Sequence, residues 1–234
     1  MLWSSTSFPN ETGLYLRFAD GQSLALTRTW IDEESRAALS DAGRIAPAVK
    51  EAAAFQLCDI CPKHGSGETC HAIRPVLAGW EVLDRYMSHH AVTAAYYDHE
   101  TGTTITCQTT MQRALQFISI LMLLFYCEVG QKFRRYYFGV HPLMPTDEVV
   151  ARVFLNMFWA CGGDMDRTRA LIDEFDEEIA TTTRCQLDRI RLFCRSDAIV
   201  NALILTQIAS EFLAMNAEDI LRDRIQAFER TFFA

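Results

Sequence analysis

The fifteen residues from Gly13 to Thr27, GLYLRFADGQSLALT, decide how the first half of the chain folds. Leu14, Leu16 and Phe18 fall on alternate positions, and so do Leu24 and Leu26. Successive side chains of a strand point to opposite faces, so each run puts its apolar residues on one side of a sheet. Asp20-Gly21 lies between the runs, and glycine readily takes the positive φ that tight hairpin turns require. The stretch therefore predicts a β-hairpin with one buried face. A second stretch, HHAVTAAYYDHETGTTITCQT (residues 89–109), repeats the pattern around Gly102. Val92, Ala94 and Tyr96 share a face on one arm, and Ile105 and Cys107 share one on the other.

Working outward, the spacing changes from two to three and four. Ile31–Ala42 opens on Asp32, Glu33 and Glu34, which suit the positive end of a helix dipole. A further helix is expected over Ile45–Gln56, after Gly43. Another begins near Pro75, a residue tolerated in a first turn, and carries Val76, Leu77, Trp80, Leu83 and Tyr86 on one stripe. From Met111 onward only helical periodicity is present. Met111–Tyr137 reads as one long helix with its weak point at Gly130. Thr146 is placed as the cap of the next, which ends at Gly162-Gly163, and Asp164 starts one that runs to about Ala180. Helices over Arg184–Arg195, Ala198–Met215 and Ala217–Phe232 follow, with Asn216 as a cap. The fold class is α+β: residues 1–110 hold two hairpins and helices, and residues 111–234 are helical. No linker rich in Pro, Gly or Ser separates the parts, so they can share one core.

Half of the 234 residues are apolar and 22% are charged, as in a soluble globular protein. The net charge of −8 opposes binding to polyanions. The N-terminal MLWSSTSFPNETG has no basic segment followed by an apolar run, so no secretion signal is expected. The strongest apolar run, FISILMLLFYC (residues 117–127), falls short of the roughly 20 residues of a membrane span and reads as a buried helix. The expected location is the cytoplasm, away from membranes. There, eight cysteines read as free thiols or metal ligands rather than as a disulfide framework.

Three of those cysteines and two histidines lie within LCDICPKHGSGETCHAIRP (residues 57–75). Cys58-x-x-Cys61 can present two sulfurs from one turn. Gly65 and Gly67 let the chain bend back, and Cys70 returns a third sulfur beside the start of the next helix. Zinc takes four nitrogen or sulfur ligands in a tetrahedron. His64, on the loop tip, is the leading candidate for the fourth position, with Cys107 on the second hairpin and His71 beside Cys70 as alternatives. A set of Cys58, Cys61, Cys70 and Cys107 would equally suit an iron–sulfur cluster. Three unrelated buried thiols are the bland alternative, but the surrounding glycine and polar residues do not look like a core strand. A thioredoxin-like redox pair is less consistent still, since no strand precedes the C-x-x-C and no helix starts from it. Cys127, Cys161, Cys185 and Cys194 sit in apolar helical patterns and read as small core residues.

Two other features read as ordinary surface. QKFRRYYFGVHP (residues 131–142) mixes basic and aromatic residues in a manner that suits a nucleic-acid strand, but an amphipathic helix end explains it, and nucleic-acid binding is not expected. LIDEFDEEIA (residues 171–180) reads as a solvated acidic face. No nucleophile elbow, phosphate-cradling glycine loop or zinc-protease helix occurs. The expected function is that of a cytoplasmic protein with a structural zinc ion, acting as an interaction or regulatory module through a protein partner or self-association. An iron–sulfur redox or sensor protein is the alternative, ahead of an enzyme with a metal-bound water.

Overall fold

The structure, a computed structural model, describes residues 11–40, 57–192 and 194–233; the helix expected over Ile45–Gln56 lies outside them. Strands β1 (Gly13–Phe18) and β2 (Ser23–Thr27) form the first hairpin, and β3 (Ala91–Asp98) and β4 (Thr103–Thr110) the second. They join edge to edge in one antiparallel sheet of order β2-β1-β3-β4. The register sets Leu14 opposite Leu26 and Tyr96, and Leu16 opposite Leu24 and Ala94. All the alternating apolar residues of the first hairpin are buried on one face. Gly21 (φ 86°) and Gly102 (φ 67°) take the positive φ at the two turns.

Helix α1 (Arg28–Ser40) follows β2 directly, with Thr27 Oγ1 accepting from Trp30 N–H at 3.2 Å. It starts three residues earlier than its acidic run suggests, because the threonine, not the carboxylates, caps it. Helix α2 (Arg74–Leu83) has Pro75 in its first turn and buries Val76, Leu77 and Leu83.

The stretch after β4 departs most from expectation. Helix α3 (Met111–Ile120) widens into a turn of π-helix at Leu121–Tyr126. The chain then breaks at Cys127, whose backbone is extended (φ −82°, ψ 125°), and resumes as a 3₁₀ helix over Gly130–Tyr137. Gly130 does not end a helix; it permits a close approach. A Cβ on residue 130 would stand 1.7 Å from the Leu123 carbonyl oxygen. The kink therefore falls three residues before the expected point and turns Cys127 sharply out of the helical path.

Helices α4 (Thr146–Ala160), α5 (Met165–Ile190) and α6 (Asp197–Phe233) complete the described chain. Thr146 is the first helical residue rather than a cap, and its hydroxyl accepts from Arg113 Nη1 at 3.1 Å. Asp164 does cap α5, accepting from Arg167 N–H at 3.0 Å. The breaks expected near residues 181–183 and at Asn216 are absent. Thr181 and Thr182 donate back to the Glu177 and Glu178 carbonyls, so the threonines sit inside a continuous helix. Asp197–Ala227 of α6 is long and apolar enough to cross a membrane by composition, but it packs on α3, α4 and α5 with Ala198, Ile199, Ala202 and Leu203 buried. One apolar cluster runs from Leu14 in β1 to Ala217 in α6, joining sheet and helices.

Two carboxylates tie the start of α6 to the α2–β3 connection. Asp84 Oδ1 accepts from the N–H groups of Arg195 (2.5 Å) and Ser196 (2.8 Å). Asp197 accepts from Ser88 N–H and Oγ, both at 2.7 Å.

Candidate metal centre

Between Cys58 and Cys70 the chain forms successive tight turns, with Cys61 N–H donating to Cys58 O at 2.8 Å and His64 N–H to Cys61 O at 2.9 Å. Gly65 and Gly67 both have φ near 77°. Along this segment only Cys58 is buried, and Cys61, Lys63 and Cys70 are half-buried; the other side chains are exposed. The loop thus turns its three sulfurs inward and has no apolar anchor of its own between them.

What lies beneath the loop was not legible in the spacing. Cys127, thrown out of line by the π turn and the Gly130 approach, packs against Cys61 and Cys70 together with Ala72 and Val129. Cys58, Cys61, Cys70 and Cys127 line one small cavity with His71, Tyr126 and Gln186. Cys185, on α5, meets Cys58 from behind in a thiol–thiol hydrogen bond. Two cysteines read from sequence as simple core residues therefore belong to a five-thiol cluster. Cys161 and Cys194 stay outside it, and Cys194 Sγ donates to Asp84 Oδ1 at 3.4 Å. All eight thiols are free.

The candidates for the fourth ligand are placed differently. His64 does not line the cavity; its Nδ1 lies 3.0 Å from Leu57 O and 3.9 Å from Asp59 Oδ1. With Nδ1–H donated to that carbonyl, only Nε2 can act as a ligand. Cys107 lies on β4 among neither the cavity residues nor the cluster. His71 lines the cavity, with Nδ1 3.8 Å from Glu128 Oε1. As the side chains stand, no three His, Cys, Asp or Glu groups among the described residues converge at metal-ligand spacing.

The sulfurs are set as hydrogen-bond acceptors. Cys127 Sγ receives the backbone N–H groups of Val129 and Gly130. Gln186 Nε2 donates to Cys70 Sγ at 3.4 Å, and Arg189 Nη2 lies 3.9 Å from Cys185 Sγ. Arg189 is fully buried, and its charge favours thiolate at Cys58. Donors of this kind stabilise thiolates more than thiols. Burial works the other way. It pushes the Cys127 thiol up to about 11, against the amide donors and with the Cys70 and Cys61 charges. It pushes Cys58 up as well, reinforced by Cys185. A nucleophilic or redox cysteine needs access and a lowered pKa, and Cys58 has neither. A cation among the sulfurs would reverse the balance, since coordination deprotonates a thiol outright.

The basic stretch at 131–142 and the acidic stretch at 171–180 answer each other. Lys132 Nζ bonds Glu174 at 2.5 Å and Glu178 at 2.8 Å, while Phe133 and Tyr136 are buried. Arg135 lies over the Tyr136 ring at 4.7 Å. Compared with protein-family models, curated proteins and solved structures, the chain matches none, so the site is read from its own residues.

Proposed function

We propose that Cys58, Cys61, Cys70 and Cys127 hold a structural zinc ion that pins the 58–70 loop to the helical body, and that the pinned loop serves a cytoplasmic interaction or regulatory role. The observation that carries this reading is the shared cavity: four thiols, three from the loop and one from the kink after the π turn, line one small space of about 10 Å³. That is about one water-sized sphere, the scale of a single ion. Bringing the sulfurs to zinc distances requires rotamer changes, and one χ1 step moves a sulfur by about 3 Å. Cys127 replaces His64 as the favoured fourth ligand because it lies on the cavity wall and His64 does not. The amide donors to Cys127 and Cys70 support the same reading, since metal ligands are oriented by outer hydrogen bonds.

An iron–sulfur cluster on these cysteines is the second reading, favoured by the fifth thiol at Cys185 and the buried Arg189. It asks for more room, because a cluster of several iron and sulfide atoms does not fit the space of one ion without movement of the loop. Elemental analysis and visible absorbance of untreated protein test both. Near-stoichiometric zinc in colourless protein supports the first reading. Iron with a brown colour after anaerobic purification transfers the site to the second. Protein purified without chelator that holds neither metal overturns both.

A further inference from the structure

A second hollow opens beside the thiol cavity and shares His71 and Tyr126 with it. It is a groove of about 980 Å³ between the sheet, the starts of α1 and α2, and the π turn. Small-molecule sites are concave, largely apolar and about 300–1,000 Å³, with a few placed polar groups. This groove has that make-up. Phe117, Leu121, Phe125 and Tyr137 give it an apolar wall, and Phe125 (45% exposed) and Phe138 (80% exposed) stand at the surface beside it.

The charges in the groove are unevenly committed. Asp32 accepts from Tyr126 OH at 3.0 Å and pairs with Arg28 at 3.8 Å. Glu11 is held by Thr29 N–H and Oγ1, both at 2.9 Å, and Asp98 by its own hairpin turn. Arg74 is half-buried, lines the groove, and has no ion pair among the described residues. Arg134, at the exposed side, has none either. Over the whole lining three arginines face four carboxylates, with Glu100 on the exposed hairpin tip. Around Tyr126, however, Arg28 and Arg74 stand against Asp32 alone, a local surplus of one positive charge that suits a monoanion, while the remaining carboxylates disfavour a polyphosphate.

We propose that the groove binds a small amphipathic carboxylate, its apolar or aromatic body on the Phe117–Leu121–Phe125–Tyr137 wall and its carboxylate on Arg74. Guanidinium is the side chain best shaped for planar carboxylate recognition, and a half-buried one is a stronger anchor than an exposed one. The groove contains none of the sulfur ligands, so the assignment stands apart from the metal reading.

Fluorescence titration of the full chain with anilinonaphthalene sulfonate, which pairs an aromatic body with one anion, tests the site. Saturable one-to-one binding is expected, displaced by phenylbutyrate about tenfold more effectively than by its uncharged amide. Arg74→Gln, with its circular dichroism and melting temperature unchanged, should remove that preference. Arg134→Gln should weaken it less, and it supplies the test if the first variant does not fold. Equal displacement by acid and amide, absence of saturable binding, or an acid preference that survives both substitutions overturns the proposal.

Discussion

The two hollows that meet at His71 and Tyr126 differ in nearly every respect. One is small, about 10 Å³, and lined by four thiols; the other is large, about 980 Å³, and lined by aromatic rings, arginines and carboxylates. The first has room for a single ion and the second for a molecule. The same π turn builds both. Leu121, Phe125 and Tyr126 face the groove, and the next residue, Cys127, faces the thiols. Widened helical turns occur frequently at functional sites. Here the widening lets adjacent residues serve two different spaces.

The largest expected effect comes from the thiol side. Cys127→Ser should reduce bound metal from near one ion per chain to near zero, measured by elemental analysis, because a hydroxyl is a poor zinc ligand. His64→Ala should retain the ion. The opposite pattern would restore His64 as the fourth ligand and separate Cys127 from the site. In Cys127→Ser, limited proteolysis should cut within residues 58–70 and spare the helical body, whose core does not include the loop.

Next is the hinge that serves both hollows. Gly130→Ala would drive a methyl group to 1.7 Å from the Leu123 carbonyl, so the backbone must move. A destabilisation of about 2–4 kcal/mol is expected by thermal or urea melts, in the upper range for single substitutions. Metal content and probe binding should fall together in this variant; an effect on one hollow alone would dissolve the link between them.

A smaller effect, far from both hollows, concerns acid stability. The Ser88 hydroxyl and N–H hold the Asp197 carboxyl below its usual value. A carboxylate lowered in the folded state adds stability above its unfolded pKa, about 3.9, and loses it as pH falls through the folded value. Asp197→Asn should therefore lower the melting temperature near neutrality, and its difference from the parent should shrink as the pH falls below about 4. A constant difference over that fall in pH would show that the carboxylate's charge is not what holds α6 to the α2–β3 connection. The smallest effect is expected for Lys132→Ala. Its partly exposed pairs with Glu174 and Glu178 should be worth about 1 kcal/mol or less and should weaken with salt.

The sheet was legible because its information is local. Leu14, Leu16, Phe18, Leu24 and Leu26 alternate within fifteen residues, and the turn glycines sit where the pattern reverses. Three cysteines of the candidate site were legible for the same reason, since Cys58, Cys61 and Cys70 share one short glycine-bearing loop. Cys127 and Cys185 were not. Each sits in an apolar stretch that reads as core, and only a π turn and the packing of α5 bring them to the loop. The one faint signal for Cys127 was Gly130, three residues on, which marks a close backbone approach rather than a helix end. The long helices were misread in the other direction: a break was expected between Ala180 and Arg184 and another at Asn216, but buried packing and back-bonded hydroxyls carry the helix through Thr181–Thr183.

The most direct test is the metal content of untreated wild-type protein set beside that of Cys127→Ser, both purified without chelator. The account predicts about one zinc per chain in the first and almost none in the second. Wild-type protein free of metal, or a variant that keeps its full complement, would contradict it.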